Sequence, residues 1–458
     1  MLEETINRLN EWWKTGAVPK PQLGNYYRDF FFKLQSILSK EKKIIGLVGL
    51  RQVGKTIILF QIIDSLIKQG INAKNILYLN FDSPKLRLEA KNLDKCLRYF
   101  ETIVGKPLEA TKTDVFIFLD EIQKLEDWAN QVKYWQDLKK NIKFVISGSS
   151  SLNIIKGIGE SLVGRINYFI LLPLSFNEIC RINHDIKAEK IKTSSLKELS
   201  FKDFQEIFEK LKFKKREMEL GLKDYLIKGG FPDIQNKNVG EAFEKLTEYR
   251  TLIFKRDLLD MIELRDSRKM DDLLTLVAFS VGSEISYEKI ASSLSITLEK
   301  VEKYVNLFEE AFLVKIVYLF KKPYVSKRKS RKIFFTDTGM LNSTLERIDF
   351  TDTSDLIENA VLISILRRMY EFLIDPKIYY QRTKKEVDFI AKIQGKIIPI
   401  EVKYKEDIKE KDITELIKFM MENKIEKGII ITKDLFKEEK IEDKTILYVP
   451  AWLFLLSF

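Results

Sequence analysis

Gly49-Leu50-Arg51-Gln52-Val53-Gly54-Lys55-Thr56 places two glycines, a lysine and a hydroxyl in the pattern G-x-x-x-x-G-K-[ST]. Glycine at those positions lets the backbone fold so that successive N–H groups converge, and converging N–H groups are a cradle for phosphate oxygens. A helix starting at the lysine adds the positive end of its dipole. The expected binding residues are Gly49, Arg51, Gln52, Val53, Gly54, Lys55, Thr56 and Ile57. Lys55 bridges the β- and γ-phosphates and the Thr56 hydroxyl ligates Mg²⁺, so the chemistry is binding of ATP or ADP.

The companion is Val115-Phe116-Ile117-Phe118-Leu119-Asp120-Glu121. An apolar strand with a carboxylate at its end sets Asp120 beside the metal and leaves Glu121 to orient or deprotonate the attacking water. Ser147, Ser149 and Ser150 follow the apolar run Phe144 to Ile146. A polar side chain among them reads as a sensor of the γ-phosphate, with Ser149 the expected residue, or the three form a polar turn. Arg165 has three open readings: stabilising the transferring phosphate in cis, doing so across a subunit contact in a homo-oligomer, or forming a surface ion pair.

A second constellation lies near the C-terminus. Glu386-Val387-Asp388-Phe389-Ile390 and Ile397-Ile398-Pro399-Ile400-Glu401-Val402-Lys403 are strand-like runs separated by the turn Gln394-Gly395-Lys396. A hairpin brings Asp388 and Glu401 together as ligands for Mg²⁺, and Lys403 shares the face of Glu401 because strand side chains alternate. Glu358, near the start of an expected helix, completes the cluster. Metal-assisted phosphodiester hydrolysis uses this combination. Surface ion pairing, or a fold retained without activity, is the competing reading.

Both constellations need elements to hold them. Lys42 to Leu50 reads as a buried strand and Ile57 to Lys68 as a helix, with further short apolar runs at Ile76 to Phe81, Val115 to Leu119 and Phe144 to Ile146. Strands alternating with helices imply βαβ units and a parallel sheet. The expected division is an ATPase domain over 1–173 with an N-terminal helix over 1–15, a helical lid and linker over 174–265, a third segment over 266–345, and an α/β domain over 346–458. In the third segment, Tyr287 to Leu294 and Thr297 to Ala311 read as helices, with Thr297 as an N-cap, and Leu313 to Phe320 reads as a strand. The second helix carries Glu299, Glu302, Glu309 and Glu310 against Lys300 and Lys303, a poor face for a groove lined with phosphates. The loop Lys321 to Lys332 holds seven Lys or Arg and no acid, so phosphate contact with DNA is expected from it.

Composition narrows the chemistry. The chain has 458 residues and one histidine, His184, in a polar stretch, which removes histidine-dependent triads and most zinc hydrolases. Cys96 and Cys180 form no Cys-x-x-Cys pair, so neither a disulfide framework nor a zinc site is expected. Net charge of +11 suits a polyanionic partner, although Lys, Glu and Ile enrichment also marks proteins from hot environments. No apolar run nears the roughly 20 residues that cross a bilayer, and Met1 to Trp13 is amphipathic rather than a signal peptide. A cytoplasmic location is expected.

Arg51-Gln52-Val53-Gly54-Lys55-Thr56, Leu119-Asp120-Glu121-Ile122-Gln123 and Leu162-Val163-Gly164-Arg165 together resemble an archaeal and bacterial family of AAA-type ATPases, as do Pro173-Leu174-Ser175-Phe176 and Gly229-Gly230-Phe231-Pro232. The resemblance covers nearly the whole chain and implies a winged-helix segment and a C-terminal domain like restriction endonucleases. Glu358, Asp388, Glu401 and Lys403 stand at positions similar to those of PD-(D/E)XK nucleases. The implied fold class is α/β: a P-loop NTPase parallel sheet, a helical lid, a winged helix and a restriction-endonuclease-like domain. Two functions follow. One is an ATPase acting on DNA and gating a Mg²⁺-dependent nuclease. The other is a nucleotide switch whose nuclease-like domain is a binding platform. A DNA motor has less support, because no second set of helicase motifs is present.

Overall fold

The computed structural model describes residues 2–458 except 39, 90–92, 139–140, 150–161, 163, 184–185, 187–190, 192–198, 259–266, 321–329, 348, 372–375, 383–385 and 394–395. Residues group into two compact units, Met1–Leu171 and Leu172–Phe458. His184 and most of the basic loop lie outside the described residues.

The first unit is built on five parallel strands: β1 (Ile44–Val48), β2 (Ile76–Asn80), β3 (Val115–Asp120), β4 (Ile142–Gly148) and β5 (Ile166–Ile170). Their order is β2-β3-β4-β1-β5. Every residue of β1 and β3 is buried, as expected for parallel strands covered on both faces, and this explains their unbroken apolar sequence. Helices Lys55–Lys68, Leu93–Val104 and Trp128–Leu138 bury Ile58, Ile62, Leu97, Phe100, Val132 and Trp135.

The N-terminal segment closes the edge strand β2. An edge strand presents unpaired backbone groups that need partners. Asn10 supplies them: Tyr78 N–H donates to its Oδ1 at 2.7 Å, and its Nδ2 donates to Tyr78 C=O at 2.9 Å. Both Trp12 and Trp13 donate their indole N–H to Ile76 C=O, at 3.1 and 2.8 Å. The single helix expected over 1–15 is instead Leu2–Leu9 followed by Trp12–Thr15. The break falls at Asn10 and Glu11, where the chain turns the carboxamide toward β2.

The second unit carries an eight-stranded mixed sheet of order β12-β13-β11-β10-β9-β8-β6-β7. Its strands are β6 (Val314–Leu319), β7 (Arg331–Phe335), β8 (Ile378–Arg382), β9 (Glu386–Ile393), β10 (Lys396–Lys403), β11 (Lys427–Thr432), β12 (Lys437–Ile441) and β13 (Lys444–Pro450). β9 and β10 pair antiparallel, whereas β10 pairs parallel to β11. β6 and β7 form an antiparallel hairpin, and β6 also pairs parallel to β8, so this sheet runs across the division expected at 345/346. Ahead of the hairpin stand helices Tyr287–Leu294 and Leu298–Glu310, the second capped by Thr297, whose Oγ1 accepts Lys300 N–H at 3.2 Å.

Asp337 ties the Gly-Gly turn of this unit to the helix Thr338–Thr344. Its carboxylate accepts N–H groups of Gly230 at 2.7 Å and Met340 at 2.8 Å. Gly229 has φ 79°, and a Cβ there would lie 2.2 Å from Asp337 Oδ1, so only glycine fits. Burial pushes the Asp337 carboxyl up from 3.8 to about 6, although backbone donors Gly230, Met340 and Gly339 oppose the shift. A carboxyl raised in the folded state holds its proton longer there than in the unfolded chain. Its contribution to stability is therefore complete below pH 3.8 and is lost as pH rises through about 6. Urea unfolding of wild type beside Asp337→Asn checks this: the stability difference is expected to move toward the variant between those two pH values and to be flat above them.

Candidate functional site

The loop after β1 is shaped by left-handed residues. Gly49 has φ 154°, Gln52 φ 66° and Gly54 φ 93°, and the helix begins at Lys55 directly after Gly54. Gln52 is exposed, while Arg51, Val53 and Lys55 are buried. Arg28 donates to Val53 C=O at 2.9 Å and braces the loop from the side. Ile57 is the third residue of the helix, with its Cγ2 3.2 Å from where a Cβ on Gly24 would stand. The Lys55 ammonium donates to Gly49 C=O at 2.9 Å and Leu50 C=O at 2.7 Å, folded back on its own loop.

Asp120, fully buried at the end of β3, is the centre of the site. Its Oδ2 accepts Thr56 Oγ1–H at 2.6 Å and Tyr78 O–H at 2.9 Å, and its Oδ1 accepts the hydroxyl of Ser147 and Glu121 N–H. Thr56 and Asp120, assigned to the metal from sequence, thus lie in direct contact. Glu121 has φ 52°, a left-handed conformation that turns its side chain off the strand. Burial raises its carboxyl above the usual range, against the pull of Lys55. Gln123 Nε2 donates to Glu121 Oε2 at 2.7 Å and to Ser149 Oγ at 3.3 Å, and Arg51 donates to the same Ser149 Oγ at 3.4 Å. Ser149 is therefore beside Glu121, and Ser150 lies outside the described residues.

The structure corrects one reading of Arg165. Its C=O accepts Ile44 N–H at 2.8 Å, at the start of β1, whereas the phosphate loop begins at the other end of that strand. Five residues at about 3.3 Å each put roughly 16 Å between them. Arg165 pairs instead with Asp137 at 3.1 Å, both half-exposed, so it does not reach the loop of its own chain. No role is assigned from sequence to Arg28, Tyr78 or Gln123, and Ser147, named there beside Ser149, bonds Asp120. Gln123 was the most legible of these, two residues beyond the acidic pair.

In the second unit, antiparallel pairing of Ile400 with Phe389 sets Glu401 opposite Asp388. Val402 N–H donates to Asp388 Oδ2 at 2.7 Å, Asp388 N–H donates to Glu401 Oε2 at 3.3 Å, and the Lys403 ammonium pairs with Glu401 Oε1. Burial and the neighbouring Asp388 hold the Glu401 carboxyl well above its ordinary range. Glu358 enters from the helix Ser354–Tyr370 and is pushed up to about 8 by burial and Asp388, with Lys332 opposing. That helix is pinned to β7 by Asn359, which accepts Phe335 N–H and donates to Phe335 C=O, both at 2.9 Å.

Two members of this cluster were not assigned to it from sequence. Lys332, expected in the basic loop, is 2% exposed, with its ammonium 2.7 Å from Glu386 Oε1 and 3.5 Å from Glu358 Oε1. Burial disfavours its charge, but Glu358 and Glu386 outweigh burial and raise its pKa. Arg331 lies 3.9 Å over the Tyr287 ring. These two charges are committed inside the fold, which corrects their assignment to phosphate contact. The remaining loop charges, at 321–329, lie outside the described residues. Glu386 precedes Asp388 by two residues, the strand period, and that was a readable signal. Among the described residues, no three Asp, Glu, His or Cys are arranged to hold a metal ion together.

The fold and loop agree with the family comparison: a model of an AAA domain matches residues 41–180. Models of two domains of unknown function, DUF8612 and DUF4143, match 219–351 and 354–454. The uncharacterized protein MJ1544 of Methanocaldococcus jannaschii is 28% identical, the match covering 91% of this chain and 89% of that one. An uncharacterized protein of Haemophilus influenzae is 26% identical over 92% and 96%. Among solved structures, the Walker-type ATPase PABY2304 of Pyrococcus abyssi covers 70% of this chain and 96% of its own at 14% identity and TM-score 0.41. AMPPCP-bound DnaA from Aquifex aeolicus covers 64% and 92% at 16% identity and TM-score 0.29. The parallel sheet order and the matched domain give this part of the chain the AAA-type ATPase fold. Among the described residues, no helix is long and apolar enough to cross a membrane.

Gly49 is the position where the loop tolerates least. A Cβ there would lie 2.1 Å from Leu171 C=O, whereas one on Gly54 meets nothing within 4 Å. Gly54→Ala is expected to lose about 1–2 kcal/mol of stability to left-handed strain. Gly49→Ala must move backbone and is expected to lose more, which chemical denaturation of both variants beside wild type measures.

Proposed function

We infer that this chain binds ATP with Mg²⁺ and hydrolyses it, and that turnover serves a DNA-processing role in which it gates a Mg²⁺-dependent nuclease site in the second unit. One observation carries the ATPase reading: the glycine loop, Lys55, Thr56, Asp120 and Glu121 converge at the carboxyl ends of β1 and β3. Thr56 and Asp120 are hard oxygen donors already in contact, a donor set that fits Mg²⁺, which would neutralise phosphate charge when bound. Lys55 exchanges two loop carbonyls for β- and γ-phosphate oxygens. Glu121, with its raised affinity for a proton, takes one from the attacking water while Gln123 and Ser149 fix its orientation. Glu121→Gln is expected to keep ATP binding, measured by titration with a fluorescent ATP analogue, and to slow phosphate release about 10²–10⁴-fold. Turnover near the wild-type rate in that variant removes Glu121 from the reaction.

The nuclease reading is supported by Asp388, Glu401 and Lys403 in mutual contact on β9 and β10. Asp388 and Glu401 fit a divalent ion, and Lys403 would face the scissile phosphate. DNA is the proposed partner because of the +11 charge and the loop 321–329, and the helices before β6 are read as a winged-helix segment. A second reading, a nucleotide switch with an inactive platform, is favoured by Lys332 already engaging Glu358 and Glu386. Incubation of plasmid, linear and single-stranded DNA with Mg²⁺ or Mn²⁺ and ATP separates the two. Cutting is expected in wild type and a loss of at least about 10²-fold in Glu401→Ala. No cutting under any condition, with ATPase intact, leaves the switch. A role for Arg165 belongs to the proposal only across a contact between two copies.

A further inference from the structure

We propose that Lys332 is a built-in cation of the carboxylate cluster, a positioning residue whose ammonium occupies the side formed by Glu358 and Glu386 and limits the cluster to one divalent ion, at Asp388 and Glu401. The inference rests on the metal-binding reading of that cluster and deepens it.

Four carboxylates, Glu358, Glu386, Asp388 and Glu401, share one buried region with two ammoniums, Lys332 and Lys403. The ammoniums divide the region. Lys403 pairs with Glu401, and Lys332 pairs with Glu386 and Glu358. A buried ammonium is costly unless paired, and Lys332 is paired on two sides while its ammonium stands 5.5 Å from the Tyr380 ring. Its position is fixed by the fold rather than chosen by a flexible chain. Lys332 lies opposite Val317 in the β6–β7 ladder, makes a bridge to Glu284, and sits three residues before Phe335, which Asn359 clamps on both backbone groups. The same clamp holds the helix that carries Glu358. A divalent ion and an ammonium repel one another, and the two cannot share Glu358 and Glu386. The ion that remains has Asp388 and Glu401, the pair outside the two ion pairs of Lys332, with Asp388 Oδ2 held by Val402 N–H.

The test counts Mn²⁺ bound to nucleotide-free full-length protein, by electron paramagnetic resonance and calorimetry. Wild type is expected to hold a single Mn²⁺ that Asp388→Asn abolishes. Glu358→Gln is expected to weaken it by less than about tenfold, the low end of what loss of an outer-shell partner costs. Lys332→Met is expected to gain a second ion, which Lys332→Met with Glu358→Gln loses again, while Lys332→Arg stays at one. A purely structural lysine would alter thermal stability in Lys332→Met without adding an ion, and that outcome overturns the proposal. Loss of Mn²⁺ in Glu358→Gln as complete as in Asp388→Asn also overturns it, without needing Lys332→Met to fold, and leaves the nuclease reading standing. Absence of any Asp388-dependent Mn²⁺ in wild type overturns the proposal and that reading together.

Discussion

A buried carboxylate must be given donors or counter-charges, and both candidate sites are built around that requirement. Asp120 is wholly removed from solvent at the end of β3, and four groups donate to it: Thr56, Tyr78, Ser147 and Glu121 N–H. An uncompensated charge there would cost several kcal/mol, a large share of the stability of any domain. Each donor comes from a different place in the sheet. Thr56 opens the helix after β1, Tyr78 is in β2, and Ser147 is in β4. Satisfying one side chain therefore fixes the alignment of three strands and a helix, and it does so where the phosphate loop needs that alignment.

Edge strands pose the related problem of unpaired backbone, and the chain answers it twice with a carboxamide. Asn10 covers Tyr78 on β2, and Asn359 covers Phe335 on β7. Asparagine suits the task because one side chain carries both a donor and an acceptor at the spacing of a backbone partner. In each case the covered strand leads to a site. β2 supplies Tyr78 to Asp120, and β7 carries Lys332 to Glu358 and Glu386. The contact that keeps each strand edge from pairing with another chain also positions the functional groups.

What was legible in the sequence was what is local. The phosphate loop could be read because its backbone conformation is set by glycines within eight residues, and β1 and β3 because parallel strands covered on both faces leave continuous apolar runs. Asp388, Glu401 and Lys403 could be read because a hairpin fixes their relation within a few residues. Lys332 could not. Its seven-charge loop looks solvated, and its burial depends on β6 pairing with β8, some sixty residues away in sequence. Arg165 has suitable chemistry at the wrong strand end. It precedes β5, and in a parallel sheet the amino ends of strands face away from the loop that follows β1.

The two sites differ in what must be given up when a ligand arrives. In the first, Lys55 is held by two neutral carbonyls, bonds worth about 0.5–1.5 kcal/mol each net, and phosphate oxygens offer charge-assisted bonds roughly twice as strong. The exchange runs downhill, and the loop keeps its shape because glycine geometry rather than the lysine holds it. In the second, Lys403 and Lys332 are already paired with buried carboxyl groups, and any incoming cation competes with an existing one. Occupancy there depends on how far the lysines can be displaced. Lys403, at 25% side-chain exposure, has an outlet to solvent, whereas Lys332, at 2%, has none. The cluster is for that reason asymmetric: its ammonium is partly open to solvent on the Asp388–Glu401 side and enclosed by the fold on the Glu358–Glu386 side.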